Sequence, residues 1–186
     1  MKKQNFLFQL MFMAIIGLLL AACQPQPSGQ GTAMANDVTK AVCMLYPTQG
    51  SSVTGMVTFT KAANGIQIEA DINGLAPGKH GFHVHQYGDC SAPDGTSAGG
   101  HFNPDNKKHG APTDMERHVG DLGNITADST GHAHLSMVDN VISFSGPHSI
   151  IGRGIIVHVG EDDLTSQPTG NAGARAACGT IGIGKP

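Results

Sequence analysis

Short runs of apolar and β-branched residues, broken by glycine and proline, set the pattern of this 186-residue chain. The clearest is Gly65 to Ile72, where Ile66, Ile68, Ala70 and Ile72 alternate with Gln67, Glu69 and Asp71, the period of a strand buried on one face. Similar stretches predict strands over Val38 to Tyr46, Val53 to Thr60, His80 to Gln86, Asn124 to Ala127, His134 to Asp139, Gly154 to His158 and Gly179 to Ile183. Lys61-Ala62-Ala63-Asn64-Gly65 contains an Asn-Gly hairpin signal, and Gly74-Leu75-Ala76-Pro77-Gly78 reads as a further turn. No run sets Ala, Leu, Glu and Lys at helical spacing, so the expected class is all-β, an eight-stranded sandwich or flattened barrel. Tyr87 to Gly120 and Val159 to Ala177 do not read as strands, and loops longer than ~15 residues in a compact domain are usually functional or disordered.

The amino terminus has a different character. Met1-Lys2-Lys3, an apolar run from Phe6 to Ala22, and Leu20-Ala21-Ala22-Cys23 form the basic, apolar and small-residue regions of an export signal over 1–22. An uncleaved membrane anchor is the alternative, but the run falls short of the ~20 residues a span needs. The Leu-Ala-Ala-Cys ending resembles the lipobox of bacterial lipoproteins, in which Cys23 would carry the lipid. A Gln-, Pro-, Ser- and Gly-rich tether over 23–36 precedes a domain expected over 37–186. The net charge of -3, with Lys and Arg dispersed, offers no footprint for nucleic acid. Export implies an oxidising compartment, where Cys90 and Cys178 are the expected disulfide pair, although counting alone leaves other pairings open. Cys43 reads as a small buried hydrophobe.

Ten histidines supply the chemistry. On a strand, His83 and His85 point to the same side while Val84 points to the other, so both imidazoles can meet one ion. His132 and His134 share that spacing but have no such neighbours and read as a solvated hairpin. His101, His109, His118 and Asp121 fall in or at the end of one Gly- and Pro-rich loop, and three histidines with a carboxylate can close a tetrahedral zinc site. The competing reading is a polar surface loop. Taken alone, His158 at the end of an apolar strand reads as a core residue.

His80-Gly81-Phe82-His83-Val84-His85, Gly99-Gly100-His101-Phe102-Asn103-Pro104, Arg117-His118-Val119-Gly120-Asp121, Gly170-Asn171-Ala172-Gly173-Ala174-Arg175 and Ala177-Cys178-Gly179 together resemble the copper,zinc superoxide dismutase family, in its exported bacterial lipoprotein form. The resemblance runs from about Lys40 to Gly184 and implies an eight-stranded Greek-key β-barrel of immunoglobulin-like sandwich type, with two long functional loops. It implies copper on His83, His85, His101 and His158, and zinc on His101, His109, His118 and Asp121, with His101 bridging the two and taking part in proton transfer. Asp162 would orient His83 and His109, Arg175 would dock the superoxide anion, Thr169 would narrow the channel, and His80 would be structural. Two superoxide anions would become O2 and H2O2 through Cu(II)/Cu(I) cycling, protecting the cell envelope from a lipid anchor that faces the periplasm or the cell exterior.

The chain departs from the common family pattern in two places. Cys90 lies further from His101 than is usual, and only Leu-Thr-Ser-Gln-Pro separates Asp163 from Thr169, which shortens the charged loop. Steering charge would then fall to Lys107, Lys108 or Arg117. Gly88, Ile151, Ile181 and Ile183 resemble dimer-contact positions, and a homodimer is expected. Against the enzyme stand two other readings, a copper-delivery module on the same fold and a lipid-anchored interaction domain. The complete ligand set with Arg175 and Asp162 favours the enzyme.

Overall fold

The computed structural model describes residues 38–186; the signal over 1–22, Cys23 and the tether over 23–36 lie outside them. Eight strands form the domain: β1 (Lys40–Pro47), β2 (Thr54–Ala62), β3 (Gly65–Asn73), β4 (Gly78–His85), β5 (Asp121–Ala127), β6 (Ala133–Asp139), β7 (Gly154–His158) and β8 (Arg175–Ile183). They close an antiparallel barrel in the order β1-β2-β3-β6-β5-β4-β7-β8. After the β1-β2-β3 meander the chain crosses over, so that β4 pairs with β5 and β7 and not with β3. This is the expected all-β, eight-stranded Greek-key barrel.

Alternation builds the interior. Ile66, Ile68, Ala70 and Ile72 of β3 all enter the core, while Gln67, Glu69 and Asp71 face outward. Phe59 and Phe82 are fully buried, and each contributes roughly 1.5–3 kcal/mol of apolar transfer. Cys43 is buried and unpaired among these side chains.

β4 and β7 differ from the other strands because both of their faces are covered. Phe82 and Val84 point into the barrel, so His83 and His85 must point outward, yet both are buried because loops roof that side. The first roof segment joins the barrel by backbone pairing: His85 bridges to His101, and Phe102 pairs with Val84 on one side and Gly120 on the other.

Most strand boundaries shift from expectation by only one or two residues, but two starts move further. β5 begins at Asp121, before the expected Asn124, because His83 on β4 pairs directly with it. β8 begins at Arg175, before the expected Gly179, because β7 supplies a ladder as far as the His158–Arg175 pair. In both cases a partner strand imposes extended backbone on Gly- and Ala-rich sequence that has no alternation of its own.

Candidate metal centre

Register carries the first ligands to one another. His83 pairs with Asp121 across β4 and β5, β7 lies against β4 and brings His158 alongside, and the bridge to His85 sets His101 between them. Two sets of donor atoms result. In each set, His83, His85, His101 and His158, or His101, His109, His118 and Asp121, the atoms lie within 4.8 Å of one another. His101 belongs to both.

In the first set, every ring has one nitrogen held and the other free. His83 Nε2 donates to Asp162 Oδ2 (2.7 Å), His85 Nδ1 to Gly99 O (3.0 Å) and His158 Nδ1 to Gly173 O (3.0 Å), while His101 Nδ1 lies 2.8 Å from Asp121 Oδ1. The remaining nitrogens, His83 Nδ1, His85 Nε2, His101 Nε2 and His158 Nε2, are buried without a hydrogen-bond partner. A buried lone pair left unmatched costs about 1–3 kcal/mol, and four converging ones fit a cation that prefers imidazole, as copper does. Burial, reinforced by neighbouring histidines, pulls His83 down to about 3 and His158 to about 4, and lowers His85 and His101 as well. All four rings are therefore neutral and ready to bind a cation near pH 7.

The second set converges on Asp121 Oδ1, with His101 Nδ1 at 2.8 Å, His109 Nδ1 at 3.0 Å and His118 Nδ1 at 3.2 Å. Donors on a tetrahedral zinc with bonds of ~2.0–2.1 Å lie about 3.3 Å apart, so this spacing fits that ion. Asp121 Oδ2 is taken by the backbone N–H groups of Gly110 (3.1 Å) and His118 (2.8 Å), which aims Oδ1 at the histidines. Burial would raise the Asp121 carboxyl, but the three histidines outweigh it and hold it well below the usual range. Burial likewise opposes charge on His109, yet Asp121 and Asp162 together raise that ring to about 9. Two carboxylates on one imidazole demand positive charge, which a divalent ion would supply.

Asp162 lies behind both sets. Its Oδ2 accepts from His83 and its Oδ1 from His109 Nε2 (2.9 Å), so one carboxylate orients a ring of each set. Asn124, which has no expected role from sequence, grips the Asp162 backbone twice: its Oδ1 accepts the Asp162 N–H (2.8 Å) and its Nδ2 donates to Asp162 O (2.9 Å). Gly170, at φ 68°, leaves the space these groups need, since a Cβ there would overlap Asp162 Oδ1 and lie 2.7 Å from His109 Nε2.

Arg175 faces His158 across the β7–β8 ladder. Its Nη1 donates to Gly95 O (2.5 Å) and its Nη2 to Gly99 O (2.6 Å), and Gly99 O also fixes His85. Cys90 and Cys178 are joined by a disulfide, which ties the loop carrying Gly95 and Gly99 to β8. Thr169 is partly buried in the second loop, directly before Gly170. The His80 ring lies between Ala76 O (2.8 Å) and His158 O (2.9 Å), outside both donor sets. His132, half-buried, lies beside Asp71 (3.1 Å), and His134, exposed, lies beside Glu69 (3.6 Å).

Two expectations are corrected. Arg117 is only 3% exposed; Nη2 is bound to Asp139 Oδ2, and Nη1 to the carbonyls of His118, Val119 and Asp121, so it braces the loop and supplies no steering charge. Ile181 is 0% exposed inside the barrel and cannot form a dimer contact, whereas Ile183 is exposed.

A closed antiparallel barrel with two adjoining, histidine-rich cation sites that share one imidazole defines a dinuclear copper and zinc protein. The comparisons identify its family. Residues 53–181 match the model of the copper/zinc superoxide dismutase (SODC) family. A superoxide dismutase [Cu-Zn] of Onchocerca volvulus is 49% identical over 158 residues, which is 78% of this chain and 97% of that protein. An extracellular superoxide dismutase [Cu-Zn] of Brugia pahangi is 48% identical over 153 residues, which is 77% of this chain and 75% of that protein. The crystal structure of the clock protein EA4 superposes with a TM-score of 0.72 at 44% identity, covering 78% of this chain and 94% of that one. The chain belongs to the copper/zinc superoxide dismutase family, with copper on His83, His85, His101 and His158 and zinc on His101, His109, His118 and Asp121.

Proposed function

We propose that the chain dismutates superoxide outside the cytoplasm and protects the cell envelope, with Arg175 docking the anion, Thr169 narrowing the approach and His101 carrying a proton. Bound copper supplies one-electron Cu(II)/Cu(I) chemistry that converts two superoxide anions and two protons to O2 and H2O2, and zinc adds a redox-silent positive charge. The reading rests on one observation above all: a permanently charged guanidinium, fixed by two carbonyls, lies opposite His158 and shares Gly99 O with His85. An arginine so held attracts a small anion without changing its own charge. His101 takes a proton at Nε2 while Nδ1 stays on the Asp121 side. Asp162 accepts the ring protons of His83 and His109 and so keeps their other nitrogens aimed inward.

Metal analysis and superoxide decay measured on one preparation test this reading. Arg175→Ala is expected to retain both metals and to lose about ten- to a hundredfold in kcat/KM, with a flatter dependence on ionic strength. Loss of copper in that variant would assign the arginine another role.

The location reading is supported by the export signal, the Cys90–Cys178 disulfide and the extracellular relative. We read Cys23 as the lipid-bearing residue of a bacterial-type lipoprotein whose enzyme domain spans 37–186. Detergent-phase partitioning that Cys23→Ser abolishes is the expected result, and partitioning that survives the change would remove the anchor. Exposed Met44, Tyr46, Met56 and Ile183 on neighbouring strands support a homodimer.

A further inference from the structure

The second loop of this chain is short, and what fastens it to the zinc side is a side chain with no assigned role. Asp163 organises the turn: its Oδ1 accepts the N–H groups of Thr165 (2.9 Å) and Ser166 (2.7 Å), Ser166 O accepts Gly170 N–H (2.7 Å), and Asp163 N–H donates to Gly170 O (2.9 Å). Gln167 leaves this turn towards His109, 58 residues away in sequence. The His109 N–H donates to Gln167 Oε1 (2.9 Å), while Gln167 Nε2 donates to His109 O (2.9 Å) and to Thr165 O (3.1 Å).

His109 belongs to no strand, so it has no ladder partner for its main-chain groups. The Gln167 amide takes that place, closing a two-bond ring of the kind that pairs antiparallel residues. Both peptide planes flanking His109 are thereby fixed. The ring must set Nδ1 3.0 Å from Asp121 and Nε2 2.9 Å from Asp162 at the same time, so a small rotation of its backbone would break one contact or the other.

We infer that Gln167 is the positioning residue for the zinc ligand His109, acting through main-chain pairing in place of a longer loop. The inference rests on the reading of His101, His109, His118 and Asp121 as the zinc set. It extends the account of Asp162, which orients the same ring from its side-chain end.

The test uses purified metal-free protein: wild type, Gln167→Ala, Gln167→Glu, and Thr165→Val as a control in the same turn. Each is titrated with zinc against a chelating indicator, with copper, and with cobalt(II), whose visible bands report the donor geometry of the zinc set. Gln167→Ala is expected to weaken zinc about 10- to 100-fold, to shift the cobalt bands, and to leave copper affinity within about threefold, with the metal-free thermal midpoint nearly unchanged. Gln167→Glu keeps the acceptor but sets a carboxylate against His109 O, and it should not restore zinc affinity. Thr165→Val should match wild type. Unchanged zinc affinity and cobalt bands in Gln167→Ala would overturn the inference, as would an equal loss in Thr165→Val, which would implicate the general order of the turn. Failure of the wild type to take up zinc would instead overturn the donor-set reading on which the inference stands.

Discussion

Removing the Cys90–Cys178 bond isolates the part of the stability that comes from the unfolded chain. Cys90 is exposed, so Cys90→Ser deletes the crosslink without disturbing packing, and Cys178 keeps its buried place beside Ala98 and Ile156. The bridge spans 88 residues, and closing a loop of that length removes about 4.6 kcal/mol of chain entropy from the unfolded state at 25 °C. Disulfide removals usually deliver somewhat less than this ceiling, so about 3–4 kcal/mol is the expected loss. For a domain of this size that corresponds to a fall of roughly 6–16 °C in Tm. The assay is calorimetric and guanidinium unfolding of the metal-free protein, with and without the substitution. The guanidinium m-value should also rise, because an uncrosslinked unfolded chain exposes more surface. A loss under about 1 kcal/mol with an unchanged m-value would refute the reasoning, since the crosslink would then constrain little that the unfolded ensemble would otherwise explore.

Further expectations follow from two buried groups. Asp162→Asn turns one oxygen into an N–H donor that faces a ring N–H of His83 or His109; a buried donor left unpaired costs about 1–3 kcal/mol, and affinity for metal should fall about 10- to 100-fold. Elemental analysis after dialysis against a chelator measures this, and unchanged copper and zinc content would sink it. Burial pushes the Cys43 thiol up to about 12, so it should resist alkylation at pH 8 until the barrel unfolds. The raised value also means that the folded state holds this proton after the unfolded state has lost it. Its contribution is therefore complete below the unfolded value near 9 and lost between there and about 12, by up to ~1.4 kcal/mol per pH unit. Unfolding of wild type and Cys43→Ala at pH 8 and pH 11 measures the difference, and parallel slopes would refute it.

The barrel was legible wherever alternation survives. β3 reads directly from Ile66, Ile68, Ala70 and Ile72, and its turn from Asn64-Gly65. The starts of β5 and β8 do not, because Asp121 and Arg175 become extended through pairing with His83 and His158 and not through local preference. The centre divides in the same way. His83 and His85 follow from a period of two on one strand, and the loop histidines from their number in one segment. His158 does not, since an apolar strand ending in histidine is chemically the same whether the ring packs or binds, and only the β4–β7 pairing decides. Asn124 and Gln167 leave no sequence signal, because an amide gripping a distant main chain has neither a period nor a fixed spacing. Arg117 was misread for a related reason: a charge seen in sequence carries no sign of whether Asp139 buries it.

How a site of this kind forms on loops is answered by where the backbone is satisfied. Asp121, His83, His85 and His158 stand on ladders, and His101 is held by its bridge to His85, so these rings need no ion to be placed. His109 has no ladder, and Gln167 supplies its main-chain partners. With main-chain pairing provided for both kinds of ligand, the unmet polar demand gathers on the ring nitrogens of the copper set: among the described residues, His83 Nδ1, His85 Nε2, His101 Nε2 and His158 Nε2 are buried with no hydrogen-bond partner. At about 1–3 kcal/mol each, that demand destabilises the fold at the place where binding removes it. Folding and metal affinity are coupled through these four nitrogens, so a substitution that relieves one of them with a hydrogen bond should stabilise the metal-free barrel and weaken the metal site together.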